Sequence, residues 1–297
     1  MTQQDQVLRF SFDQLDIRGE LVWLNESWEA VLSRHDYPPV VRKQLGSALA
    51  AVAILSLTVK FAGTMILQIQ GKGPLRSLVV QVTHSGELRG LARWDGLVPD
   101  GTLQQMYGDG RILITLIKDS GERYQSIVAL SGDNLAAALN RYFEQSEQLP
   151  TSFRLYLSGS SVGGLFLQAL PAASGQQAQP EEARAEDWNR INTLAATLGH
   201  DEMFALPAER LLLNLFHEEI VRVHPPQPLR FACTCSREKV ERTLIAMGKA
   251  ELYSIIRDEG SIKVDCEFCN QHYRFNTADV DKLYYEGDGP APGTIFH

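Results

Sequence analysis

Four cysteines, Cys233, Cys235, Cys266 and Cys269, fall within 37 residues of one another, and the 232 residues before them contain none. Their spacing is C-x-C, thirty residues, then C-x-x-C. Two close pairs of this kind suit a zinc ion, which prefers four tetrahedral ligands and takes thiolate readily. The clustering points to metal or redox chemistry rather than to a disulfide scaffold. The four thiolates are therefore expected to bind one Zn2+. His272 is a spare donor, but with the shell already full it reads as an ordinary surface histidine.

A zinc that merely staples a small domain is the commonest role for such a site, but three features favour a thiol redox switch. C-x-C brings two sulfurs close enough to oxidise to each other once the turn adjusts. Cys233 and Cys235 sit beside Arg230, Arg237 and Lys239 and just before an expected helix N-terminus, a setting that favours thiolate. Structural zinc contributes about 10–16 kcal/mol of apparent binding free energy in small domains. Whole domains are stable by only about 5–15 kcal/mol, so losing the metal is expected to unfold whatever surrounds it.

Other chemistries fit less well. A thioredoxin-like role for Cys266–Cys269 would need a helix N-terminus in a βαβ setting, and a strand–turn–strand surrounds them here. Nucleic-acid binding is weak: from Phe231 to Asp288 there are eight Lys and Arg against eleven Asp and Glu. Gly159-Ser160-Ser161-Val162-Gly163 spells G-x-S-x-G, yet Phe166, Gln168 and Leu170 continue a strand after it, so it reads as a hairpin turn. His217-Glu218-Glu219 is not a zincin motif, and no catalytic constellation is visible.

Around the cysteines, Ser236 is expected to cap a helix carrying Val240, Leu244 and Met247, ended by Gly248. A second helix carries Leu252, Ile255 and Ile256, and Ile262 to Phe275 reads as a strand, a tight turn and a strand. Upstream, residues 1–171 read as a strand-rich domain with inserted helices. Val40–Val59 suits a buried helix, and strand-like runs cover 64–70, 75–83, 87–94, 111–118, 124–130, 152–157 and 164–170. Asp133 looks like the N-cap of a helix bearing Leu135, Leu139, Tyr142 and Phe143. The mixture lacks a βαβ rhythm, so the fold class is α+β. Residues 172–229 read as an acidic linker, flexible over 172–186 and then helical, with stripes at Trp188–Leu198 and from Pro207 through Leu211, Leu212, Leu215 and Phe216. Between Glu181 and Glu219 nine acidic residues face three basic ones, and this segment looks short of packing partners. Residues 230–297 complete the expected organisation as the zinc domain.

The net charge of −8 argues against a general polyanion binder. No basic start followed by an apolar run is visible at the N-terminus. The 16 uncharged residues between Lys43 and Lys60 are short for a membrane span, so a cytoplasmic protein without membrane contact is expected.

Phe231-Ala232-Cys233-Thr234-Cys235-Ser236-Arg237-Glu238 and Val264-Asp265-Cys266-Glu267-Phe268-Cys269-Asn270, with Tyr273 and Phe275, resemble the two cysteine motifs of the heat shock protein 33 family. Glu144–Gln148, Gly163-Gly164 with Gln168, and Leu215–Glu219 resemble further family segments, and the resemblance spans essentially the whole chain. It implies a redox-regulated, ATP-independent holdase, not an enzyme, inactive while reduced and zinc-bound. Oxidation would form Cys233–Cys235 and Cys266–Cys269 disulfides, release zinc and unfold the C-terminal domain and linker. It also implies unfolding client proteins as partners and a homodimer when oxidised. The residues alone permit three pairings of four cysteines.

Overall fold

The computed structural model describes residues 4–59, 61–171 and 180–285. It divides into two compact units, 1–232 and 233–297.

In the first unit the chain begins with β1 (Gln6–Phe12), β2 (Ile17–Leu24), α1 (Glu26–Leu32) and α2 (Pro39–Thr58). There follow β3 (Gly63–Gly71), β4 (Leu75–Thr83), β5 (Glu87–Trp94), α3 (Leu103–Tyr107), β6 (Gly110–Lys118) and β7 (Arg123–Ala129). Then come α4 (Leu135–Tyr142), a π-helical turn (Phe143–Glu147), and the hairpin β8 (Thr151–Ser158) and β9 (Ser161–Ala169). After the undescribed stretch the unit ends with α5 (Glu181–Ala196), α6 (His200–Ala205), α7 (Ala208–Leu215), β10 (Val221–Val223), β11 (Gln227–Pro228) and β12 (Arg230–Phe231).

These strands make two sheets. One has the order β10-β1-β2-β9-β8 with β11 added to β1; the other runs β12-β5-β4-β3-β6-β7, antiparallel except where β12 joins β5. Between them lies α2, rich in alanine and leucine and apolar on every side, the composition of a helix surrounded by protein. Its residues from Leu45 to Leu55 are buried apart from the half-buried Ser47, and it contacts strands of both sheets. It is long and apolar enough to cross a membrane, but 72% of the apolar stretch is buried inside the protein, so it is the core helix of the fold.

The helices α5–α7 cover the other face of the first sheet. Ile191, Ala195, Met203, Leu211, Leu212 and Phe216 pack with Phe10, Leu21, Trp23 and Leu167 in a second buried cluster. Gly163 makes this possible on β9, because a Cβ there would lie 2.8 Å from the Met203 Cε. Its neighbour Gly164 faces the opposite way, and a Cβ would meet Ile54 and Val22 at 3.0 Å.

Three expectations need correcting. The N-cap of α4 is Asn134, not Asp133: the Asn134 Oδ1 accepts from the Ala137 N–H at 3.0 Å. Of the stretch 172–186, residues 172–179 lie outside the described residues, but 181–186 open α5. Glu181 and Glu182 complement the helix N-terminus, and Arg184 pairs with Asp16 and donates to the Leu170 carbonyl at 2.5 Å. Nor are the acidic helices short of partners, given the cluster above. The G-x-S-x-G stretch is a hairpin turn, with Ser158 paired to Ser161.

The second unit contains α8 (Arg237–Met247), α9 (Lys249–Glu259), β13 (Ile262–Asp265), β14 (His272–Phe275) and α10 (Thr277–Tyr285). Ser236 caps α8 by accepting from the Lys239 N–H, and Gly260, at φ 78°, ends α9 in the left-handed region. Among the described residues its hydrophobic core has five buried side chains, Leu244, Leu252, Ile262, Phe275 and Val280. A core this small seldom sustains a fold without a metal or disulfide.

Candidate metal centre

The four cysteines come from two irregular segments beside these elements. Cys233 and Cys235 lie in the extended run before α8, held by the Ser236 cap and by Lys239, whose ammonium donates to the Thr234 carbonyl. Cys266 and Cys269 lie in the turn between β13 and β14. The Cys269 and Asn270 N–H groups both donate to the Cys266 carbonyl, at 3.2 and 2.7 Å, and the Cys266 N–H donates to the Gln271 carbonyl at 3.0 Å. Asn270 closes the turn at φ 59°, a conformation asparagine tolerates better than most residues.

The four Sγ atoms lie within 4.8 Å of one another. Close contacts run between the two pairs, Cys233–Cys266 at 3.6 Å and Cys235–Cys269 at 3.4 Å. A tetrahedral site with zinc–sulfur bonds of about 2.3 Å has sulfurs about 3.8 Å apart, so the arrangement fits such an ion. Backbone N–H groups of Phe268 and Cys269 point at the Cys266 sulfur, and that of Gln271 at the Cys269 sulfur. Tyr273, on β14, donates its hydroxyl to the Cys235 sulfur at 3.1 Å. Only its place in a family-like motif marked Tyr273 in the sequence; nothing there showed this contact.

The flanking arginines are engaged with partners of their own. Arg230 is paired with Glu87. Arg237 binds Glu241 at 3.0 Å and Asp279 at 3.2 Å, and stacks 4.2 Å over the Phe275 ring. Each thus has its own work in holding the fold. Burial pushes the Cys266 and Cys269 thiols up, and for Cys269 the crowding of neighbouring sulfurs adds to this. It takes a cation among the sulfurs to hold them as thiolates. His272 takes no part: it is exposed and bonded through Nδ1 to Asp265 at 2.6 Å.

A family model described as Hsp33 protein matches residues 5–276. This chain belongs to the Hsp33 family. It is 50% identical over 286 residues to the 33 kDa chaperonin of Nitrosococcus oceani, covering 96% of each chain. Against the 33 kDa chaperonin of Pseudomonas aeruginosa it is 42% identical over 300 residues, covering both completely. The crystal structure of the Thermotoga maritima 33 kDa chaperonin has the same fold, with a TM-score of 0.78 at 23% identity over 96% of this chain and all of that one. The Hsp33 family is one of chaperones rather than enzymes, and the partners it implies are client proteins.

Proposed function

We propose that this chain is an ATP-independent holdase switched by oxidation, with Cys233, Cys235, Cys266 and Cys269 holding one Zn2+ in the reduced state. The observation that carries the reading is four half-buried sulfurs within 4.8 Å in a unit whose core has five buried side chains. When bound, zinc supplies the positive charge that keeps the sulfurs ionised and cross-links the start of α8 to the β13–β14 turn.

The pairs proposed to oxidise are Cys233 with Cys235 and Cys266 with Cys269. Each disulfide forms as two thiolates give two electrons to an oxidant such as peroxide or hypochlorous acid. Close sulfur contacts cross between these pairs. A bond across them, however, would tie the unit together, whereas residues one or two apart in sequence stay neighbours as the unit opens. Disulfide sulfurs no longer carry the charge that binds the cation, and five buried side chains cannot hold the unit alone.

Residues 172–229 are the proposed linker and 230–297 the switch domain, with 1–171 the stable core. Short helices depend on packing more than on their own propensity, and α6 and α7 have six and eight residues. Their excess of negative charge opposes their compact state. Once they loosen, the sheet face carrying Phe10, Leu21, Trp23 and Leu167 becomes available to unfolding clients. Dimerisation on oxidation and a cytoplasmic location complete the proposal.

The test measures zinc release with a chromogenic chelator, and light scattering of a thermally unfolding client. Reduced protein is compared with protein treated with peroxide under mild heat or with hypochlorous acid. Scattering should fall only with the oxidised protein, alongside zinc release. Equal protection in both states, or zinc retained after oxidation, contradicts the switch.

A further inference from the structure

The outer face of the second sheet is composed unlike a solvated surface. Helices α1–α4 all bury their apolar residues in the core on its inner side, and α5–α7 lie on the other sheet. Among the described residues, no helix of the first unit packs on this outer face. The strand registers place its side chains in cross-strand rows. One row is aliphatic nearly throughout: Leu91 on β5, Val79 on β4, Gln68 on β3, Leu113 on β6 and Ile127 on β7. Ile127 is 65% exposed and Val79 and Gln68 are half-buried, while Leu91 and Leu113, at 7% and 9%, sit low between their neighbours and belong to neither large core cluster.

The neighbouring row carries Arg93 on β5 and Arg111 on β6, and the row on the opposite flank carries Arg89 on β5. Arg123 stands one row further on β7. Across these four rows there is no lysine and no aspartate. The one glutamate, Glu87, is held by Arg230. Solvated antiparallel sheets usually set opposite charges across from one another. Enrichment in arginine with depletion of lysine and acids is instead a trait of protein-binding surfaces. In a chain of net charge −8 this concentration of one sign is local.

We infer that this face docks an acidic amphipathic helix of another polypeptide, its aliphatic stripe along the Leu91–Ile127 row and its carboxylates towards the arginines on both flanks. Five strands about 4.8 Å apart give a row about 19 Å long, the length of about 13 helical residues. Such a footprint belongs to weak, transient contacts. Single-stranded nucleic acid fits less well, because the four rows offer no aromatic side chain for base stacking. The face is complete in the described fold and requires no oxidation, so this inference does not rest on the redox reading.

The test uses reduced, zinc-loaded full-length protein and a fluorescent 16-residue peptide of Glu, Ala and Leu, with leucines on one helical stripe and glutamates on its flanks. Anisotropy should show saturable binding that 0.5 M salt weakens. The double variant R93E/R111E, at exposed positions, should bind at least about tenfold more weakly while keeping its zinc content and tryptophan fluorescence. Absence of binding, unchanged binding by the double variant, or equal binding of a lysine-for-glutamate peptide overturns the proposal. So does a single-stranded oligonucleotide that binds more tightly and displaces the peptide.

Discussion

The Tyr273 hydroxyl donates to the sulfur of Cys235 at 3.1 Å, a contact between residues 38 apart in sequence. Tyr273 is paired with Val264 across the β13–β14 ladder, so the strand that follows one cysteine pair reaches a member of the other. The hydroxyl stabilises charge on that sulfur and lowers its nucleophilicity, and the partial charge on the sulfur in turn makes the phenol harder to ionise. Tyr273→Phe should weaken metal binding by about tenfold, as loss of outer hydrogen bonds does at other sites, and should speed oxidation. Competition with a chromophoric chelator and thiol-loss kinetics measure the two effects. Unchanged values for both would show that the contact is incidental.

Replacing a ligand should act more strongly. Cys266→Ser removes one of four anionic donors and leaves the five-residue core to hold the second unit. Zinc affinity should fall by several orders of magnitude, with loss of far-UV helical signal from α8–α10. All four tryptophans, Trp23, Trp28, Trp94 and Trp188, lie in the first unit, so their fluorescence reports that unit separately. Full zinc affinity in this variant would remove Cys266 from the ligand set.

The packing of α6 on β9 can be tested without touching a cysteine. Gly163→Ala places a methyl 2.8 Å from the Met203 Cε, and the Trp23 indole N–H donates to the Met203 carbonyl at 2.8 Å, so the helix cannot shift without cost. Overpacking of this kind costs about 1–3 kcal/mol. Amide exchange in α5–α7 should quicken, and the reduced variant should suppress client aggregation where the parent does not. Faster exchange without protection would show that uncovering this face is not enough for client binding.

A buried carboxyl in the first unit sets a pH dependence of its own. Glu20 on β2 is fully buried, and burial pushes its pKa up to about 7 despite Arg18 and Arg9 nearby. Because the folded value lies above the unfolded one, the native state binds the extra proton between about 4.5 and about 7. The stability associated with the neutral form is complete below that window and lost as pH rises through it, by about 3 kcal/mol at most. Urea unfolding followed by tryptophan fluorescence at pH 5 and pH 8 should show this loss, and Glu20→Gln should flatten it. An equal slope in both proteins would assign the dependence to other groups.

The same residue explains why part of the fold was hard to read. The strands β3–β7 show themselves through alternation and glycine turns, and α2 through a nearly continuous apolar run. By contrast, β2 is a central strand covered on both faces, yet it carries Arg18 and Glu20 where apolar residues would have revealed it. Arg9 of β1 bonds Glu20 at 3.3 Å, so each strand's charged residue makes sense only through the other. The short α6 and α10 are stabilised by what they pack on more than by their own pattern. At the candidate metal centre, the two cysteine pairs and the turn were legible because they are local. The outer hydrogen bond from Tyr273 and the partners of Arg237 arise only when distant segments meet.

The five-residue core of the second unit also bears on how the molecule is made. Synthesis runs from the N-terminus, and domains generally fold in that order as they emerge. The larger unit, with its own extensive core, can be complete before the last cysteines leave the ribosome. The remaining segment has too little to bury to close by itself. On the proposed reading, biosynthesis of each copy ends with the capture of an ion, and metal supply would set how quickly a new chain matures.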